Sequence, residues 1–184
     1  MADYTDNVLA SSIKALDEVI QPALNPNDPL AGEQLRLVSG FLKFLRARLD
    51  HRQPRHVFEL NHYLTMAQDV LNDARLISEE AANRLDRAIE NAMTISLKRD
   101  AALADIASAT AGLASSISGV VRLAATARDE LRTSVEARVV AGSKGWVDMQ
   151  RAWFLPQGFD LHPADIPGLD EALASGFRVQ QRAE

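Results

Sequence analysis

The chain contains no cysteine, and that absence alone removes disulfides, thiolate nucleophiles and cysteine-ligated zinc. Aromatic residues make up only 5 % of the 184 positions, and β-branched residues are also few, so the usual material of strands is scarce. There is no excess of positive charge. The formal net charge is −5, which gives the molecule as a whole no attraction to nucleic acid, and no nucleic-acid partner is expected. A glycine-rich phosphate loop, a Gly-x-Ser-x-Gly elbow, a His-Glu-x-x-His pair and a calcium loop are all missing, so the familiar enzyme classes lose their usual signatures. No internal repeat and no low-complexity linker interrupts the sequence.

Long hydrophobic runs are missing too, with one near exception. Ala101–Val121 carries a single charge, Asp105, over a length that could span a bilayer. It is made largely of Ala, Ser, Gly and Thr, whereas a membrane helix needs more Leu, Ile and Phe. We read it as buried in protein and expect no membrane partner. The first residues, Met1-Ala-Asp-Tyr-Thr-Asp6, are acidic, the opposite of a signal peptide's basic start. A cytoplasmic location is the expectation.

What the chain does have is Ala, Leu and Arg, in a composition 47 % hydrophobic and 24 % charged. That favours helix and excludes a disordered chain. Leu9, Ile13, Leu16 and Ile20 form one helical stripe, which Pro22 should end. Ala31, Leu35, Val38, Leu42, Leu45 and Leu49 form a second, widened by Leu37, Phe41 and Phe44. Val57, Leu60, Leu64, Ala67 and Leu71 form a third, closed by Asn72-Asp73. Ser78-Glu-Glu reads as an N-cap for a fourth, with Ala82, Leu85, Ile89 and Ala92. A stripe from Leu103 to Leu131 follows, ending at a glycine C-cap, Gly142. Unbroken from Asp100 to Ala141 it would be about 60 Å long. Either it breaks near Gly112–Gly119, where Ser115, Ser116 and Ser118 cluster, or it projects from the bundle. The cost of each glycine in a helix, about 1 kcal/mol, favours the break.

The expected fold is therefore all-α: an antiparallel bundle of five or six helices over residues 1–142. A partly irregular segment, 143–184, holds Trp146 and Trp153, packs on the bundle and includes a short helix near Leu169–Ser175. Leu35, Val38, Leu42, Leu45, Leu60, Leu64, Leu85 and Ile89 are the expected core.

The segments Leu16-Asp-Glu-Val-Ile-Gln-Pro-Ala-Leu24 and Leu35-Arg-Leu-Val-Ser-Gly-Phe-Leu-Lys-Phe-Leu45 resemble a group of small uncharacterised bacterial helical proteins. Those are often encoded beside acyl-CoA dehydrogenases and aminoglycoside-phosphotransferase-like kinases. The resemblance covers residues 8–49 and implies an accessory role near acyl-CoA metabolism. It transfers no catalytic residue.

Few side chains suggest chemistry. Glu59 and His62 have the Glu-x-x-His spacing of di-iron carboxylate helices, which places both on one side of a helix. The second such motif that a di-iron site needs is absent, so a solvated Glu–His pair is expected and no cofactor. His51, His56 and His62 cluster around one turn, but the last two lie about 120° apart on a helix. Lys43, Arg46, Arg48, Arg52 and Arg55 form a basic patch. It suits a phosphate-bearing ligand or an acidic partner, or simply places cations at a helix C-terminus. Trp146, Trp153 and Phe154 either line a pocket or fasten the C-terminal segment. Gly112 and Gly119, with Ala111, Ser115 and Ser118, leave a thin helix face suited to close packing, within the bundle or across a homodimer axis.

Three readings follow. The first is a non-catalytic accessory or interaction protein, working as a homodimer or beside a partner protein. The second is a helical metal-binding protein or enzyme using Glu59 and His62. The third is a small-ligand binder whose basic patch holds an anionic group.

Overall fold

The computed structural model describes residues 4–175. Among them there is no strand, and the helices pack side by side as an all-α bundle, as the sequence predicts. The helices are α1 (Tyr4–Ala15), α2 (Gln21–Ala23), α3 (Pro29–Arg46), α4 (Arg52–Ile77), α5 (Glu79–Ser96), α6 (Leu103–Ala124), α7 (Asp129–Phe154) and α8 (Leu169–Ser175). A π-helical turn, Leu16–Ile20, joins α1 to α2, and 3-10 turns lie at Leu155–Gln157 and Pro163–Asp165. The chain forms two compact units. One comprises the chain through Arg52 with Pro156–Phe159, and the other Gln53–Leu155 with the chain from Asp160 onward. The C-terminal segment expected over 143–184 begins inside α7, and its part beyond 175 lies outside the described residues.

In the first unit α1 packs against α3. Pro22 does not end the first helix as expected, because the helix runs on through α2 to Ala23. Directly before the proline the backbone widens, and Gln21 N–H bonds Leu16 O, five residues back. In a regular helix the proline ring would press on the carbonyl of Glu18, and a π turn at that place relieves the crowding. Asp28 caps α3, its Oδ1 accepting from Ala31 N–H at 3.0 Å, with Pro29 at the first helical position.

α3 meets α1 and the π turn through polar contacts as well as apolar ones. Ser39 Oγ donates to Asp17 Oδ1 at 2.6 Å, and Lys43 Nζ lies 2.7 Å from Asp17 Oδ2. Arg46 binds Asp6 at 2.7 and 3.1 Å. The hydrogen bond from Lys43, then that from Ser39, holds the Asp17 carboxyl below its ordinary range. This seam corrects the expected core. Val38 and Leu45 are 49 % and 38 % exposed, Leu35 and Leu42 are only half-buried, and Ser39, Phe44 and Arg48 are buried instead. The apolar stripe of α3 is real, but Asp6 of α1 and Asp17 of the π turn draw its polar residues inward.

The second unit holds the apolar core. Leu60, Leu64, Ala67, Val70 and Ala74 of α4 meet Ala82, Leu85, Ile89 and Ala92 of α5. They also meet Ile106, Ala109, Leu113, Ile117, Val120 and Ala124 of α6 and Val135 of α7. Spacings of three and four keep each set on one face. Asn72-Asp73 does not break α4 as expected. The Asp73 carboxylate, instead of turning on its own backbone, accepts from Ser134 Oγ at 3.0 Å and Arg138 Nε at 2.9 Å, both on α7. The break comes at Ser78, whose Oγ accepts from Ala81 N–H at 3.3 Å, the cap read from the sequence.

Two expectations about the long stripe are corrected. α6 passes unbroken through Gly112 and Gly119. Ser118 Oγ donates to Ala114 O at 2.8 Å and Thr110 Oγ1 to Ile106 O at 2.9 Å, so these hydroxyls serve the same helix and start no new one. The chain instead turns at residues 125–128, which contain neither glycine nor proline. Gly142 is no C-cap, because α7 runs through it to Phe154. A Cβ at Gly142 would stand 3.1 Å from Met66 Cε, so the missing side chain admits α4 there.

After α7, Arg151 donates to Asp160 through Nε and Nη2 at 2.9 and 3.0 Å, and His162 N–H donates to the same carboxylate at 2.9 Å. The Arg151 hydrogen bond and then the His162 hydrogen bond lower the Asp160 pKa to about 2. α8 then packs on α7 through Ala172 and Leu173.

Two measurements check this architecture. Leu85→Ala empties a fully buried site and should cost about 2–5 kcal/mol on denaturant titration, whereas Val38→Ala should change stability by no more than about 0.5 kcal/mol. Equal costs would contradict the placement of the core. In an NMR titration the Asp160 carboxyl should titrate near 2 and move toward its ordinary 3.8 in Arg151→Ala. Because its pKa is depressed by folding, this contact's contribution is whole above 3.8 and is lost as the pH falls through about 2.

Candidate functional site

α4, α6 and α7 leave a cleft of about 400 Å³ between them. Its apolar wall comes from Met66, Ile117, Val121 and Val139, the inward stripes of three helices at their meeting. Its aromatic wall is His62, Tyr63 and Trp146. The Trp146 ring centre lies 5.9 Å from those of both His62 and Tyr63, and His62 and Tyr63 meet edge to face at 5.7 Å. Phe58 stacks on the far side of His62 at 5.9 Å and 10°. Four aromatic rings thus stand together in a chain with few of them, each bracing the next.

The polar groups of the cleft are Ser118, Arg122 and Ser143. Both serine hydroxyls donate back along their helices, Ser118 to Ala114 O and Ser143 to Val139 O at 2.7 Å. Their protons are committed to carbonyls and their lone pairs remain free to accept. Burial lowers the pKa of His62, so its ring is neutral at neutral pH. Arg122 is exposed and has no ion-pair partner among the described residues. The cleft therefore offers a flat apolar slot with one uncommitted guanidinium.

The residues singled out from the sequence are distributed as follows. Trp146 lines the cleft. Trp153 is buried, with the Arg55 guanidinium 4.5 Å above its ring. Arg55 also binds Glu59 at 2.9 Å, and His56 Nδ1 lies 3.6 Å from the same carboxylate. Glu59 is thus engaged with Arg55 and His56, while His62 belongs to the aromatic wall. No group of three or more His, Asp or Glu side chains among the described residues converges on a possible metal position. Arg46 is held by Asp6, Arg48 is buried over the Phe44 ring at 5.7 Å, and Arg52 is exposed at the start of α4.

Tyr63, Met66, Ser143 and above all Arg122 were not singled out. One signal was available. Arg122 is the only charged residue between Asp105 and Arg128, in the last turn of α6, where a cation also favours the helix dipole. Compared with known proteins, the chain matches no family model, and no curated protein or solved structure is significantly similar to it.

Proposed function

We propose that this protein is a non-catalytic binder of a small amphipathic anion, held in the cleft between α4, α6 and α7. The observation that carries the reading is Arg122, a guanidinium without a partner among the described residues, on a cleft walled by Trp146, Tyr63 and His62. A flat or acyl body fits against the rings, and the carboxylate or phosphate meets Arg122, with His62 neutral and able to donate one hydrogen bond. The volume suits a small molecule. Catalysis has no support here, since neither serine hydroxyl faces a base and Glu59 is tied to Arg55. An accessory role near acyl-CoA metabolism, the role implied by the resemblance of residues 8–49, is compatible with an acyl carboxylate as the bound species.

The test uses Trp146 as reporter in a Trp153→Phe background, titrated with 4-phenylbutyrate and octanoate. Both should change the fluorescence saturably and raise Tm, and acetate should do neither. Arg122→Ala should weaken binding about tenfold or more, as loss of a charge-assisted contact does, with little effect on Tm. No saturable change up to millimolar ligand would overturn the reading.

A second reading, the homodimer, has one observation in its favour. Added Cβ atoms at Gly112 and Gly119 would meet nothing within 4 Å, and Ala111, Ser115 and Ser118 beside them are exposed. The small-residue face of α6 is therefore open to a second copy. Light scattering at micromolar concentration should then give twice 20.1 kDa, and Gly112→Leu should return it to one chain mass. A single chain mass for the wild type would reject it.

A further inference from the structure

A smaller cavity of about 210 Å³ adjoins the cleft and shares His62 and Met66 with it, with Phe58, Gly142 and Gly145 among its other walls. Both spaces are lined mainly by apolar groups. The two shared side chains stand one turn apart on α4 and form the boundary. His62 is its fixed part, because Phe58 and Trp146 each brace the imidazole at 5.9 Å. Met66 is its soft part. The side chain is buried and runs across the bare face of Gly142, where a Cβ would stand 3.8, 3.6 and 3.1 Å from its Cβ, Cγ and Cε. Three rotatable bonds let an unbranched thioether move aside where a braced ring does not.

The two spaces differ in what they offer a charged group. The cleft has the Arg122 guanidinium. In the smaller cavity Thr65 Oγ1 donates to Asn61 O at 3.0 Å and Ser175 Oγ to Ala172 O at 2.7 Å, so both hydroxyl protons are used within the fold. Its one charged wall residue, Asp69, is an exposed carboxylate and disfavours an anionic head group there. A ligand with an anion at one end is therefore oriented, its head at Arg122 and its tail toward Met66. A straight alkyl chain is no wider than the methionine side chain it displaces, whereas an aryl or branched body stops in the cleft.

Resting on the anion-binding reading of the cleft, we infer that its ligand is a straight-chain amphipathic anion and that Met66 is the specificity-determining residue for chain length: the chain displaces the Met66 side chain and ends in the smaller cavity. Each methylene buried there tightens binding about threefold to fourfold. Gly145 supplies an independent test. It lines the smaller cavity and not the cleft, and a Cβ there would meet nothing within 4 Å, so a side chain at that position takes up space without crowding the fold.

The experiment titrates hexanoate, octanoate, decanoate and dodecanoate at pH 7, each below its micelle concentration, and reads Kd from Trp146 fluorescence and contact from backbone amide shifts by NMR. Dodecanoate should bind at least tenfold more tightly than hexanoate. It should shift the Gly142 and Gly145 amides, and hexanoate should shift only those of the cleft, such as Ser118, Arg122 and Ser143. Gly145→Val should cut the ratio of dodecanoate to hexanoate affinity tenfold or more. Met66→Ala removes the partition and should raise that ratio threefold or more; if the variant is too unstable to measure, Gly145→Val and the amide shifts decide. A ratio unmoved by Gly145→Val, or dodecanoate shifts confined to the cleft, would overturn the inference and leave the cleft standing as an anion site. Absence of binding at every chain length would overturn both.

Discussion

Where α7 crosses α4 there is no Cβ at Gly142, and Met66 fills the space that one would occupy. That contact brings α4 and α7 together beside the cleft and beside a smaller cavity of about 210 Å³. Met66 is a wall of each, with Val139, Ser143 and Trp146 on one side and Gly142 and Gly145 on the other. Asp73, gripping Ser134 and Arg138, fixes the register of the same two helices further along. A buried acid bonded to two neighbours resists sliding in a way that apolar side chains do not, because any shift leaves its lone pairs unmet. The site is thus built on long helices, the part of the molecule with the most extensive core.

The two cavities share one aromatic residue. His62 borders both, stacked on Phe58 toward one and tilted against Trp146 toward the other. With its charge suppressed by burial, it lines the same cleft as the Arg122 guanidinium without opposing it. A charged imidazole there would repel Arg122.

How much of this was legible in the sequence depended on where the deciding partner lay. The stripes of α4, α5 and α6 could be read because each buries its own periodic face, and Ser78 could be read as a cap because the bond it makes is local. α3 could not, since which of its faces is covered depends on Asp6 of α1 and Asp17 of the π turn, far from it in sequence. Gly112 and Asn72-Asp73 misled for a related reason. Propensity marks places where a helix can end, and tertiary contacts, such as Asp73 with Arg138, decide whether it does. The turn after Ala124 carries no local signal at all. At the site, Trp146 and His62 stood out by residue type, whereas Tyr63 and Met66 acquired their roles only from the crossing of α4 and α7. The basic run Lys43–Arg55 looked like a surface patch, yet Arg46, Arg48 and Arg55 are taken up by an acid, a ring, and an acid with a ring.

The π turn before Pro22 also fixes the rotation of everything that precedes it. A helix advances about 100° per residue, so the one extra residue that the wide turn accommodates rotates α1 by that angle relative to α2. Asp6 reaches Arg46 and Asp17 reaches Lys43 in that rotated setting. A chain one residue shorter between Leu16 and Ile20 would present a different side of α1 to α3, and its acids would have to stand at other positions. In this part of the molecule the length of the segment constrains the packing more than the identity of its apolar residues does.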